Sequence, residues 1–327
     1  MGLRMVKVRK VQQTRTGTFF VCLTRSWAEK HGLKKGTQVA LDETIDGRLC
    51  IDARFDAEPV PKVAVLSPGP FLSREIVARY LQGFDVIRVE AKERFDLEVR
   101  NRVKRTISSL VGLEIVEETS SLIVLQCLLP SSILSVETLL LRNYSIVAGM
   151  IRDAVTSLFD GDVQLAKSVV ARDDESDRQY FLLVRALCTV VQNLRLGEKL
   201  GLNTIDCLNC RLAASFVEGL GDASVQIANL TLELDGEKLS EDLKNLLMNL
   251  QTTCCDASDR ALKAFVNKDM ALAEEVKSML TKIDNLSKEI GNTAKNYAFV
   301  WMPKFLMAAS FLKRVYDISV DLADLVV

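Results

Sequence analysis

The sequence predicts a multi-domain α+β protein: a small β-rich head, a small α/β middle domain and an all-α tail of two related halves. Three observations carry this. Strand-like alternation before residue 55 gives way to mixed strand and helix signals over 60–135, and from about residue 144 a helical period dominates. Basic charge concentrates in the head and acidic charge in the tail. A helical segment of the tail recurs about a hundred residues later. The expected boundaries are 1–54, 60–135, 144–237 and 238–327, and a chain of 327 residues is long enough for such cores.

Apolar residues make up 48% of the chain and charged residues 26%, which excludes wholesale disorder. Only six prolines and sixteen glycines leave room for long regular elements. The most apolar stretch, Ser121 to Leu141, is interrupted by Gln126, Pro130, Ser131, Ser132, Glu137 and Thr138. It is therefore no membrane span, and the start of the chain lacks the apolar core of a signal peptide. A cytoplasmic location without membrane insertion is expected. Eight cysteines in a chain of this size do not make a disulfide framework. The pairs Cys207/Cys210 and Cys254/Cys255 read as helix positions rather than zinc ligands, because no set of four spaced thiolates or imidazoles accompanies them. His31 is the sole histidine and sits before Gly32 at a helix end, where capping explains it and catalysis through a histidine base does not.

In the head, Val6 to Val11 alternates like a half-buried strand, Thr14 to Gly17 reads as a turn and Thr18 to Leu23 as a second strand. Thr24 or Ser26 is placed to cap a short helix from Trp27 that Gly32 ends. Thr37 to Leu41 and Arg48 to Ile51 flank a hairpin turn at Asp46–Gly47. Residues 1–41 carry nine basic side chains against one acidic, +8, whereas residues 145–327 carry 20 basic and 26 acidic, −6. A basic module that meets a polyanion, attached to a body that does not, is the expectation. Two hairpins around one helix cannot bury their apolar faces alone, and interleaving two chains would solve this.

The segment RKVQQTRTGTFFVCLTRSWAEKHGLKKGTQVAL resembles the AbrB/SpoVT family of dimeric DNA-binding regulators. The resemblance implies a swapped-hairpin β-barrel head and a homodimer formed through it. It departs at Leu23–Thr24, where that family usually has Leu-Pro, and at Ala28–Glu29, where some members carry paired arginines. Arg9, Lys10, Arg15 and Arg25 fall at basic positions of the motif and suit phosphate contacts.

The middle domain reads as strand (Lys62 to Leu66), helix (Ser73 to Gln82), strand (Asp85 to Val89), basic helix (Leu97 to Leu110) and a closing hairpin. That βαβαββ order implies a small α/β sandwich acting as a spacer or dimerisation unit. No phosphate-cradling glycine loop or nucleophile elbow occurs.

In the tail, Val147, Met150, Ile151, Ala154 and Leu158 mark one face of an amphipathic helix that Asp160–Gly161 ends. LFDGDVQLAKSVVARDDESDRQ (158–179) corresponds to FVNKDMALAEEVKSMLTKIDNL (265–286) at a shift of 107, the distance from Asp177 to Asp284. VEGLGDASVQIAN (217–229) corresponds to LKRVYDISVDLAD (312–324) at a shift of 95, the distance from Asp222 to Asp317. Each repeat is expected to hold three helices, short, long and long. Asp173 and Asp177 interrupt an apolar stripe one turn apart, and Glu218 and Asp222 repeat that spacing beside Ala214, Ser215 and Gly221, small residues that permit close helix approach. Either these acids face water as a charge run, or they converge between helices as an oxygen-rich site for a hard cation, iron or manganese.

ARDDESDRQYFLLVRAL and VEGLGDASVQIAN resemble the PhoU family, phosphate-uptake regulators built from two three-helix repeats. The order of head, α/β middle and helical tail resembles the archaeal AbrB–PhoU fusion proteins. Since some relatives bind metal at these carboxylates, the resemblance implies a metal at Asp173, Asp177, Glu218 and Asp222. Repeat two has Leu280 and Lys313 where the first acids would stand, leaving Asp284 and Asp317, with Asp321 one turn on. Two functions follow from the resemblance: a dimeric DNA-binding regulator of phosphate uptake with a helical sensor body, or an adaptor that contacts a phosphate transporter or its signalling partner without touching DNA. An enzyme is not expected; a metal-dependent hydrolase would need a nucleophile or base that the sequence does not offer.

Overall fold

The computed structural model describes residues 8–43, 47–53, 61–129, 135–233, 240–296 and 301–326. The chain divides into two compact units, Met1–Val60 and Pro61–Val327.

The first unit pairs β1 (Gln12–Gln13) with β2 (Phe19–Phe20), continues into α1 (Arg25–Lys30), and pairs β3 (Ala40–Glu43) with β4 (Leu49–Asp52). The turn between β1 and β2 is as expected: Gly17 donates to the Thr14 carbonyl at 3.0 Å. Two expectations need correction. Residues 8–11 form no strand, and pairing begins at Gln12; the earlier part of the expected strand lies outside the described residues, as does Asp46. Thr24 occupies the N-cap position but its side chain makes no capping bond, and the first turn is instead tied by Arg25 to Glu29. Among the described residues the two hairpins are separate two-stranded sheets within one chain, whereas the expected barrel interleaves two chains. Strands of two to four residues cannot cover their own apolar side chains, and Phe19, Phe20, Val21, Leu23, Leu41 and Leu49 are exposed.

In the second unit, β5 (Val63–Leu66), α2 (Leu72–Leu81), β6 (Val86–Glu90), α3 (Leu97–Ser108), β7 (Leu113–Glu118) and β8 (Leu122–Cys127) realise the βαβαββ order. The sheet order is β5-β6-β8-β7, with β5 and β6 parallel and β8 inserted antiparallel between β6 and β7. Leu72, Ile76, Tyr80, Val99 and Val103 of the helices pack on Ile87, Val89, Ile123 and Leu125 of the sheet. This small domain sits on the helical body. Arg185, nearly buried, donates to the carbonyls of Tyr80 (2.7 Å) and Phe84 (2.8 Å) and lies over the Tyr80 ring. A guanidinium at the C-terminal end of α2 suits the helix dipole and adds a second donor to the Tyr80 carbonyl, which also accepts from the Gly83 N–H at 3.0 Å. Gly83, at φ +77°, is close enough to Thr189 that a Cβ there would lie 3.0 Å from its hydroxyl.

The helical body comprises α4 (Val136–Asp160), α5 (Val163–Gln192), α6 (Leu194–Leu200) and α7 (Thr204–Glu233), followed by α8 (Glu241–Asn267), α9 (Met270–Ser278), α10 (Leu280–Ala294) and α11 (Met302–Ala323). Helices α4, α5 and α7 pack together, α8, α10 and α11 pack together, and α7 against α11 forms the seam. The 107-residue shift holds in backbone detail. Gly161 and Lys268 both end their helices in the left-handed region, and Asp162 and Asp269 both cap the next helix, accepting from Leu165 and Leu272. The expected order of short, long, long is wrong for the first helix of each repeat, which runs 25 and 27 residues because its apolar stripe starts earlier, at Val136 and Leu243. In repeat two the second helix is broken at Met279 into α9 and α10, whereas its counterpart α5 runs unbroken for 30 residues. Tyr144 joins the repeats by donating to Asp259 at 2.6 Å.

Candidate functional site

Helix α5 supplies Asp173 and Asp177, and α7 supplies Glu218 and Asp222. The two helices pack closely where Gly221 faces α5. A Cβ at Gly221 would lie 3.5 Å from Val147, 3.7 Å from the Ser176 hydroxyl and 4.0 Å from Asp173 Oδ1. Ala214 is buried in the same interface, but Ser215 is exposed and plays no part in the approach. Asp173 and Asp177 do not stand in the core stripe as expected. The buried positions on that side of α5 are Ser176, Gln179 and Tyr180, and the acids lie half-buried at its margin.

The acids nevertheless share one field. Burial pushes the Asp173 carboxyl above its usual range, and Asp177, Asp222 and Asp174 add to the rise. Asp177 is raised by burial and then by Asp222 and Asp174. Glu218 is raised by burial, Asp177 and Asp222, against which a Tyr180 hydrogen bond and Arg211 pull it down. Like charges close together and partly desolvated disfavour ionisation in this way. Among the described residues, no lysine, arginine or histidine forms an ion pair with Asp173, Asp177, Glu218 or Asp222. Arg211, which draws the Glu218 carboxyl down, is stacked over the Tyr180 ring at 4.9 Å.

As a donor set these oxygens suit a hard cation. As the helices stand, no group of three or more acids, cysteines or histidines among the described residues lies close enough to hold one. A cation here would have to turn side chains inward or bind through water. Behind the acids lies a polar core that sequence reasoning missed. Ser176 donates to Asn143 Oδ1 at 3.0 Å, and the Asn143 amide nitrogen and the Gln179 oxygen are buried without partners among the described residues. The available signal was Ser176 itself, three residues after Asp173 and so on the same helix face.

Repeat two is chemically different. Lys313 donates to Asp284 at 2.5 Å. Its ammonium is held more firmly protonated by that hydrogen bond and by the charges of Asp284 and Asp317. Asp317 and Asp321 are exposed. In the head, Arg9 and Lys10 precede β1, Arg15 lies in the β1–β2 turn and Arg25 opens α1. All four are exposed, and Arg25 is shared with Glu29 at 2.7 Å. Among the described residues no helix is long and apolar enough to cross a membrane.

Fold and site together define an antiparallel bundle of two helical repeats with an unneutralised acid cluster in the first. Residues 140–231, spanning that first repeat from α4 into α7, match the PhoU domain family. Two solved structures share the fold. PhoU from Pseudomonas aeruginosa superposes with a TM-score of 0.51 at 22% identity, covering 58% of this chain and 93% of that one. The phosphate transport system regulatory protein PhoU from Streptococcus pneumoniae superposes with a TM-score of 0.50 at 16% identity, covering 58% and 91%. No curated protein matches the chain.

Proposed function

We propose that this protein is a PhoU-type regulator of phosphate uptake that binds DNA as a dimer through its basic head and reads its signal through the helical body. The observation that carries the PhoU-type reading is the match of residues 140–231 to the PhoU domain, on a fold shared with a phosphate transport system regulatory protein. The DNA-binding part rests on the +8 charge of residues 1–41 and on the exposure of Arg9, Lys10, Arg15 and Arg25. Exposed Phe19, Phe20, Leu41 and Leu49 support dimerisation of the head, because a second copy would cover what each hairpin leaves bare. The reading is non-catalytic. Sequencing of DNA crosslinked to the protein in cells grown with and without phosphate tests it; phosphate-dependent enrichment of discrete sites is expected.

The pairing of Arg25 with Glu29 favours a second reading, in which the head only dimerises and the body contacts a phosphate transporter or its signalling partner. Neutralising phosphates gives a slope of about −0.9 per contact in log affinity against log salt. Replacing Arg9, Lys10, Arg15 and Arg25 by alanine should flatten that slope by up to about 4 units. Wild-type protein that retains no duplex at low salt selects the adaptor.

The repeat-one acids form the second part of the proposal. Asp173, Asp177, Glu218 and Asp222 would hold a hard divalent cation or iron or manganese, which would supply the positive charge the cluster lacks. Repeat two needs none, because Lys313 already neutralises Asp284.

A further inference from the structure

A cavity of about 460 Å³ opens at one end of the helical bundle, between the start of α4, the α6–α7 connection, the end of α8 and the residues after α11. It falls within the size range of small-molecule sites. It is separate from the acid cluster: Asp206 at its edge and Glu218 are twelve residues apart on α7, roughly 18 Å by helical rise. Leu140, Leu202 and Phe265 supply apolar wall, and Glu137, Asp206 and Lys268 supply charge.

Lys268 is the reason to read this cavity as a site. The internal repeat provides its control. Gly161 ends α4 at φ 65° and Lys268, 107 residues later, ends α8 at φ 54°. That conformation suits glycine and strains an L side chain. Lys268 is the only non-glycine residue with positive φ among the described residues. The turn itself is a helix C-cap, in which the Asp269 N–H bonds the Ala264 carbonyl at 2.9 Å, but that cap asks for glycine and not for a lysine. The Lys268 ammonium lies 3.5 Å from Asp206, and its side chain is 71% exposed, so the pair contributes little to stability. The cap accounts for the backbone and not for the choice of lysine, and a disfavoured side chain kept at a cavity edge is a feature of binding positions.

The chemistry of the lining selects the ligand. Two carboxylates and one ammonium stand beside an apolar wall, complementary to a molecule with an ammonium, a carboxylate and an apolar body. The Cys210 thiol in the wall is pushed up to about 11 by burial, with Cys207, Asp206 and Glu137 adding to the rise, so it stays protonated at neutral pH and is no nucleophile. We propose that this cavity binds a small zwitterion of amino-acid type with a large apolar side chain. Its carboxylate meets Lys268, its ammonium meets Asp206 and Glu137, and its side chain lies among Leu140, Leu202 and Phe265.

The test is calorimetric titration and thermal melting of the full chain with L-leucine, L-phenylalanine and L-tryptophan. Glycine, phenethylamine and 3-phenylpropionate remove the apolar body, the carboxylate and the ammonium in turn. At least one of the three amino acids should bind saturably and raise the melting temperature, and the three controls should bind at least about tenfold more weakly, the worth of one strong contact. Lys268→Gly removes the cation and relieves the left-handed strain. It should melt at or above the wild-type temperature without ligand while losing at least about tenfold in affinity. Glu137→Gln should weaken binding with little change in melting. The proposal is overturned if no amino acid binds at millimolar concentration, if a control binds as well as the amino acids, if Lys268→Gly binds like wild type, or if Lys268→Gly melts lower than wild type.

Discussion

The two helical repeats share a register and differ in what their polar positions do. In repeat one, α5 runs unbroken past Asp173 and Asp177, and eight residues beyond Asp177 its Arg185 seats the α/β domain. In repeat two the same path is interrupted at Met279, Leu280 replaces the first acid, and the position 107 residues after Arg185 is Asn292, exposed and bonded only to nearby Lys295 among the described residues. Glu218 of repeat one has as its counterpart Lys313, which satisfies Asp284 within the bundle. Repeat two is electrostatically closed, and repeat one carries both an uncompensated acid cluster and the attachment of a neighbouring domain. On the proposed reading the balanced copy is scaffold, and the unbalanced copy is the one that would take a cation or a ligand group.

The largest effect that can break this contrast concerns metal. Asp173→Ala with Asp177→Ala should remove most bound metal after reconstitution with iron or manganese, whereas Asp284→Ala should remove little. Metal analysis of the purified proteins decides it, and equal loss in both variants, or a metal-free wild type, ends the cation reading. Next, Arg185→Ala removes the buried donor of the Phe84 carbonyl and one of two donors to the Tyr80 carbonyl, and should cost about 2–4 kcal/mol in urea denaturation. Asn292→Ala should change stability by no more than about 0.5 kcal/mol, as expected for an exposed site. Similar costs for both would erase the distinction between the repeats as domain anchors.

A smaller effect is the pH dependence of the metal-free protein. Asp173, Asp177 and Glu218 have folded-state pKa values above their ordinary ones. The native state therefore binds more protons than the unfolded chain between those values, and these groups lower stability as pH rises through that window. In the presence of chelator, acidification from neutral pH toward the ordinary carboxylate range should favour wild type over Asp173→Asn/Asp177→Asn. Thermal midpoints measured across that interval check it; parallel curves would mean that the acids do not feel one another. The smallest effect is expected for Lys313→Ala, which breaks a half-exposed pair and should cost within about 1 kcal/mol by chemical denaturation.

Much of the fold was legible in the sequence. The βαβαββ order of residues 61–129, the helical tail and the 107-residue register all follow from local signals: apolar periodicity, the Gly161 helix end and the recurrence of one segment. The head was less legible, because its strands are too short to dominate the pattern and their pairing begins at Gln12 rather than within the alternating segment before it. The acid pairs were also visible, since i, i+4 spacing is a property of one helix. Their depth was not, and Ser176 and Gln179 proved to be the buried members of that face.

The sequence by itself determined the elements, their order and the duplication, because these depend on hydrogen bonds and periodicities within a few residues. Tertiary structure alone decided the partners. Asn143 reaches Ser176 across 33 residues, Lys313 reaches Asp284 across 29, and Arg185 reaches Tyr80 across 105. Which polar group is met by a counter-charge and which is left without one depends on how helices cross, and crossing is set by packing between distant segments. The same holds for Lys268: the repeat alignment puts it opposite Gly161 in sequence, but only the folded chain shows that it adopts the glycine conformation and stands at a cavity.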